Sequence, residues 1–241
     1  MISLENSTRS IHSHSHSQHN QGVHATVSKL ADQQPDQSEL CEKPFEQLVK
    51  QIRHEFTFSQ PDGTFGNSQA IEDLLNRYIN EGHKDWNEYA FFCPYGYSRN
   101  LVACGEQFEL MVICWAKGQV SPIHNHEGQR CWMACAKGQL QETQFLFENT
   151  MSTHGEGKLL ESQVTTIDEG SVGYITDEIA LHVIQSLEPV SVSIHLYSKP
   201  IYECNIYCPT TGKITRKKLG YYTQYKEHSP NHNKPILCQQ E

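Results

Sequence analysis

The sequence predicts a mainly β protein, a small β-barrel with an N-terminal α-helical cap. Three observations predict it. From residue 97 onward, short apolar-rich segments recur between Gly, Pro and Asn turns, the pattern of a barrel or sandwich. Before that, apolar residues repeat with helical rather than strand period. Finally, the pair His124-Asn-His126 sits in strand-like sequence framed by Gly118 and Gly138. On a strand, residues i and i+2 share a face, so both imidazoles aim at one point, as in half of a metal site.

In chain order, residues 1–40 are rich in Ser, His, Gln and Asn and poor in large apolar residues, which predicts a disordered tail. His12, His14, His16 and His19 give that tail a loose capacity for transition metals, or are simply solvated. Phe45, Leu48, Val49, Ile52 and Phe56 form one helical stripe. A second helix, capped by Asn67 or Ser68, presents Ile71, Leu74, Leu75, Tyr78 and Ile79 and stops at Gly82. Asp85 starts a short third helix running through Trp86, Tyr89 and Phe92. These stripes read as packing, and the helices spanning 44–92 are expected to cover one side of the barrel. Strands are expected at 108–116, 129–137, 139–147, 159–167, 171–176, 180–187, 190–198 and 201–207. The barrel unit runs 97–225 within a domain of 41–225, and 226–241 reads as a loose tail.

A chain of 241 residues fits one barrel domain plus tails. Its net charge of −9 argues against nucleic acid or an anionic membrane as the main partner. No run of 18 apolar residues predicts a transmembrane helix, and the N-terminus lacks the apolar core of a signal peptide. Nine cysteines without regular spacing read as reduced thiols rather than a disulfide framework, so the expected location is cytoplasmic. A monomer is expected.

A metal site needs a third ligand. His154 lies in a Gly-rich turn and is a poor candidate, whereas His182 stands alone in the apolar run Ala180-Leu181-His182-Val183. By pattern alone His182 is either a satisfied core histidine or a ligand. Ser193, His195 and Tyr197 alternate with Val192, Ile194 and Leu196, so they share one face, turned either to solvent or inward. Arg99 and Tyr97 share a face if their segment is extended. Arg99 is a surface residue or a bidentate carboxylate clamp. Cys131 reads by default as a small buried hydrophobe.

Gly118, the His124-Asn-His126 pair, position 131 and Gly138 together resemble the first motif of the cupins, small β-barrels that usually hold a metal inside. Cysteine at 131, where most cupins carry a glutamate ligand, resembles the cysteine dioxygenase branch. The likeness covers roughly 70–225. It includes Tyr97-Ser98-Arg99-Asn100-Leu101-Val102, Cys114-Trp115, Ala180-Leu181-His182 and Ser193-Ile194-His195-Leu196-Tyr197-Ser198.

The resemblance implies a three-histidine site of His124, His126 and His182, with Fe2+ as the cofactor; spacing alone does not separate iron from zinc, manganese or nickel. Three neutral imidazoles leave the metal its full charge, which favours an anionic thiolate. The resemblance further implies a Ser193–His195–Tyr197 relay, a Cys131–Tyr197 thioether crosslink and Arg99 with Tyr97 as the substrate anchor. Glutamine typically replaces that arginine in relatives that prefer 3-mercaptopropionate. Trp115 matches a buried family tryptophan, and Cys204 a pocket cysteine. Two positions depart from the vertebrate pattern: Ser198-Lys199-Pro200 replaces Ser-Pro-Pro, and Arg130 stands where histidine is common. Neither removes a ligand. The implied activity is oxidation of L-cysteine by O2 to cysteine sulfinic acid. The alternatives are a dioxygenase for another small thiol, such as 3-mercaptopropionate or cysteamine, and a non-enzymatic metal-binding module. Arg99 argues against cysteamine, which has no carboxylate.

Overall fold

The computed structural model describes residues 42–57, 68–148 and 157–229. The expected N-terminal tail, its histidines and the cap candidate Asn67 lie outside the described residues. Helix α1 spans Pro44–Thr57 and α2 spans Ser68–Asn80, followed by a 3-10 helix at Asp85–Tyr89. Thirteen strands follow among the described residues: β1 Ser98–Cys104, β2 Glu109–Ala116, β3 Ile123–His124, β4 Cys131–Lys137, β5 Gln139–Glu148, β6 Lys158–Asp168, β7 Val172–Ile175, β8 Leu181–Ser186, β9 Val190–Tyr197, β10 Glu203–Tyr207, β11 Ile214–Lys218, β12 Thr223–Gln224 and β13 Glu227–His228.

They build two sheets. The seven-stranded sheet has the order β13-β12-β1-β2-β9-β4-β7, and the six-stranded sheet β11-β10-β3-β8-β5-β6. Strand period 2 divides the larger sheet cleanly. On one face, Leu110, Val112, Trp132, Ala134, Val192, Ile194 and Leu196 join the α1 and α2 side chains in one core. On the other, Met111, Ile113, Trp115, Cys131, Met133 and Tyr197 face the barrel interior. A strand buried on both faces can carry polar residues on one of them only if those residues find partners inside. The face carrying Ser193, His195 and Tyr197 is therefore internal, and all three are buried.

The helical cap follows its stripes. Phe45, Leu48, Ile52 and Phe56 are buried, and Phe56 stacks on Phe108 at 5.6 Å and meets Trp132 edge-on at 6.4 Å. Asp85 ties the cap together: its carboxylate accepts from the Phe45 backbone N–H at 2.6 Å and from the Tyr78 hydroxyl at 2.6 Å. The expected third helix is shorter than its apolar pattern. It is a 3-10 turn ending at Tyr89, and Phe92 is exposed. Ala90 already leaves helical backbone at φ −89, ψ 75, and Pro94 disfavours a return to it at Cys93.

Gly138 makes the tight turn between β4 and β5 at φ +76, where a Cβ would lie 2.6 Å from the Val190 carbonyl oxygen. The expected boundary of the C-terminal tail at residue 226 falls inside the β12–β13 hairpin, which pairs parallel to β1 at Asn100↔Thr223. No helix among the described residues is long and apolar enough to cross a membrane.

Candidate metal centre

Three strands of the six-stranded sheet bring the histidines together. His124 on β3 lies directly opposite His182 on β8. β10 closes the other side, with Ile206 opposite His124. His126 arrives differently from the expectation that one strand face carries both members of the pair. The strand ends at His124, and His126 opens a turn through Glu127 (φ 52) and Gly128 (φ 73). Asp177 clamps that turn, accepting the backbone N–H of His126 at 2.6 Å and of Gly128 at 2.7 Å. A half-buried carboxylate reading two turn amides separated by one residue holds His126 without help from strand pairing.

The result is a cluster whose ligating nitrogens all lie within 4.8 Å of one another. Each outer ring nitrogen is oriented separately. His124 Nδ1 faces the Pro122 carbonyl at 2.9 Å, and His182 Nδ1 faces Glu142 at 2.7 Å. His126 Nδ1 lies 3.6 Å from Asp177, an electrostatic contact longer than a hydrogen bond. Such outer partners set the tautomer and turn the remaining nitrogen inward. Both ring nitrogens of His126 are buried without a hydrogen-bond partner. Burial lowers the pKa of His124 to about 3 and that of His182 well below the usual histidine value. Neutral imidazoles with inward lone pairs and one orphaned buried ring are what a divalent metal requires. The residues fit a metal.

The seven-stranded sheet supplies most of the polar wall opposite, and β10 adds Cys204. Tyr97, Arg99, His195, Tyr197 and Cys204 border the same cavity as His124 and His182. Ser193 Oγ bonds His195 Nε2 at 2.9 Å, and Trp115 donates its indole N–H to that Ser193 oxygen at 2.9 Å. Trp115 also stacks on Tyr97 at 4.7 Å. His195 Nδ1 has no hydrogen-bond partner, and the His195 and Tyr197 rings are 6.3 Å apart. The first link of the relay is thus a hydrogen bond and the second is not. Tyr197 instead meets His126 edge-on at 5.8 Å. Cys131 is the direct cross-strand neighbour of Tyr197, and burial raises the pKa of both well above their usual values. Adjacent-strand partners of this kind stand with Cβ atoms roughly 4.5–5.5 Å apart.

Arg99 is buried, with Nη2 3.1 Å from Glu109. Burial is the largest influence and opposes its charge, but the Glu109 carboxylate together with Tyr197, Tyr97 and Tyr221 outweighs it and raises the Arg99 pKa. Sequence reasoning missed three carboxylates here: Glu142, Asp177 and Glu109. Glu142 is a diagonal neighbour of His182 across β5 and β8, visible only once the strands are paired. The turn-forming Gly128 was a signal for the clamp at Asp177, but not for which acid supplies it.

A family model described as cysteine dioxygenase type I matches residues 36–209. The chain belongs to the cysteine dioxygenase type I family. It is 32% identical to cysteine dioxygenase type 1 of Danio rerio over 205 residues, covering 81% of this chain and 94% of that protein. It is 30% identical to cysteine dioxygenase type 1 of Homo sapiens over 169 residues, or 68% and 82% of the two chains. Among solved structures, an uncharacterized conserved protein with a double-stranded β-helix domain from Klebsiella pneumoniae is similar to it. That likeness has TM-score 0.39 and 13% identity over 57% of this chain and 90% of that one. The barrel is a cupin with two N-terminal helices, and its three-histidine site is the metal site of a thiol dioxygenase of this family.

Proposed function

We propose that the chain oxidises L-cysteine with O2 to cysteine sulfinic acid, using Fe2+ held by His124, His126 and His182. The observation that carries this reading is the placement of buried Arg99 on the wall of the cavity bordered by His124 and His182. A small thiol whose carboxylate rests on the guanidinium then has its sulfur directed toward the three imidazoles. Bound there, iron would supply a place for thiol and O2 to meet and the redox capacity for their reaction. Both oxygen atoms end on sulfur, so the four-electron oxidation of the thiol balances the reduction of O2 and needs no further reductant.

The chain's own residues do the rest. Arg99 pairs with the carboxylate through the N–H groups of Nη1, and Tyr97 stacks on Trp115 beside the cavity. A metal held by three imidazoles would keep its positive charge and so would favour the substrate as thiolate, with no separate base needed. Ser193 and Trp115 hold His195 against the cavity. Tyr197 directs its phenol into the space above His126. A Cys131–Tyr197 thioether would fix that phenol and remove a free thiol from beside an oxidising site.

Oxygen uptake by the iron-loaded protein with cysteine, 3-mercaptopropionate and cysteamine tests the reading. We expect cysteine to be preferred and to yield a product heavier by two oxygen atoms. Preference for either other thiol would reassign the substrate. No uptake with any thiol would leave a binding module.

A further inference from the structure

Glu109 is wholly buried yet does not border the cavity; it stands behind Arg99. Two donors converge on its two oxygens. Arg99 Nη2 lies 3.1 Å from Oε1, and the Ile201 backbone N–H donates to Oε2 at 2.9 Å. Burial and, next, the nearby Glu109 charge raise the pKa of the Tyr221 phenol. Tyr221 also lays its ring against the guanidinium, 5.5 Å from Arg99 Cζ. It belongs to the segment that closes the free edge of β1. There the Tyr222 N–H donates to the Arg99 carbonyl at 2.7 Å and the Tyr225 N–H to the Leu101 carbonyl at 3.0 Å. This segment lies beyond residue 209, where the family match ends.

We propose that Glu109, assisted by Tyr221, is a positioning residue that presents Arg99 to the substrate carboxylate and so sets selectivity for carboxylate-bearing thiols. The inference rests on the reading of Arg99 given above. An unconstrained arginine has a long, flexible stem, and ordering it on binding weakens affinity. Here Nε and Nη2 are already engaged by the Met111 sulfur at 3.3 Å and by Glu109, which leaves the Nη1 edge of the fork for a ligand. The pair is also charge-compensated before substrate arrives, so the buried guanidinium needs no solvent.

Glutamine is nearly isosteric with glutamate but places an amide donor against one of these converging donors. Glu109→Gln should therefore raise KM for cysteine by about 5–50-fold, less than the ~10–200-fold of losing a charge-assisted hydrogen bond outright because Arg99 itself remains, with a smaller fall in kcat. The KM for 3-mercaptopropionate should follow cysteine, and that for cysteamine should rise at least about five times less. Under anaerobic conditions the rise in Tm that cysteine gives the iron-loaded protein should shrink in parallel, which reads binding without turnover. In an Arg99→Ala background, Glu109→Gln should add nothing to KM and should raise Tm by removing an unpaired buried charge. Tyr221→Phe, which keeps the ring and loses the hydroxyl, should shift KM in the same direction by about 2–5-fold. It carries the test alone if Glu109→Gln fails to fold.

An unchanged or lowered KM for cysteine, an equal rise for all three thiols, or additivity with Arg99→Ala would overturn the inference. A wild type that prefers cysteamine would instead overturn the reading of Arg99. A wild type that prefers carboxylated thiols, with variants that leave KM untouched, would overturn only the role of Glu109.

Discussion

The six-stranded and seven-stranded sheets meet across one cavity but hold their functional side chains in different ways. The six-stranded sheet and the turn after β3 contribute three imidazoles. Two of these have an outer nitrogen fixed by a carbonyl or carboxylate, and the third has its backbone clamped by Asp177. The seven-stranded sheet contributes Arg99, His195, Tyr197 and Cys131, and orders Arg99 through a buried ion pair, a stacked ring and an edge-closing hairpin. The first arrangement is a ligand set in which each histidine is held by its own outer partner. The second already contains opposite charges that depend on each other. Damage should therefore be local in the first and shared in the second.

The largest effect should come from removing an imidazole. His182→Ala or His124→Ala leaves two protein ligands, and metal affinity should fall by more than the ~10–100-fold that loss of an outer partner costs. Metal analysis should find little iron and an oxygen electrode no uptake, with folding retained. Full loading and activity in either variant would remove that histidine from the site.

Arg99→Ala should instead damage both function and stability. Loss of the carboxylate partner should lower kcat/KM for cysteine by about 10–200-fold, from roughly 1.5–3 kcal/mol of charge-assisted hydrogen bonding. Because Glu109 is wholly buried, its stranded charge should destabilise the fold by about 3–5 kcal/mol, read by denaturant unfolding. Loss of activity without loss of stability would contradict the shared character of this half of the cavity.

A smaller, partial loss is expected for Cys131→Ser. Mass spectrometry of active, aged enzyme should show a species lighter by two hydrogens that resists reduction, with the Cys131 and Tyr197 peptides joined. The serine variant should lack it but keep the fold and the iron. Separate peptides in fully active wild type would end the crosslink proposal and leave the dioxygenase reading standing.

The effect that is smallest at neutral pH, and grows only as acid is added, is one of protonation. Burial, with smaller contributions from His126, Arg99 and His124, lowers the His195 pKa from 6.5 to about 3. As pH falls, the unfolded chain takes up this proton first. The stabilisation is therefore complete above about pH 6.5 and is lost progressively toward pH 3, with a slope approaching ~1.4 kcal/mol per pH unit. His195→Gln should flatten the acid limb of a plot of unfolding free energy against pH. An unchanged limb would mean that His195 is charged or hydrated in the folded protein.

Much of the frame was legible in the sequence because it depends on short-range periodicity. The stripes of α1 and α2 and the alternation along β2, β4 and β9 follow from which faces are apolar. β1, which opens on the polar run Ser98-Arg99-Asn100, the short β3 and the C-terminal β11–β13 were not among the expected strands. A two-residue strand has no period, and Ile214–Lys218 carries charged residues that read as loop. The pair of histidines was visible for the right chemical reason but with the wrong geometry, since the strand ends before His126.

By itself the sequence determined the barrel, its helical cap and the His124–His126 pair, because hydrophobic period and motif spacing are local properties of the chain; His182 became a ligand only through the family resemblance. The acids that orient the histidines were left to the tertiary structure. Glu142 and Asp177 lie 40 and 51 positions from the histidines they serve. Glu109 meets Arg99, Ile201 and Tyr221 only after β1, β2 and the C-terminal hairpin have closed around it. A lone carboxylate in a sequence reads as a solvated surface group. Only burial turns it into a group that must find donors, and which donors it finds is decided by strand pairing across the whole fold.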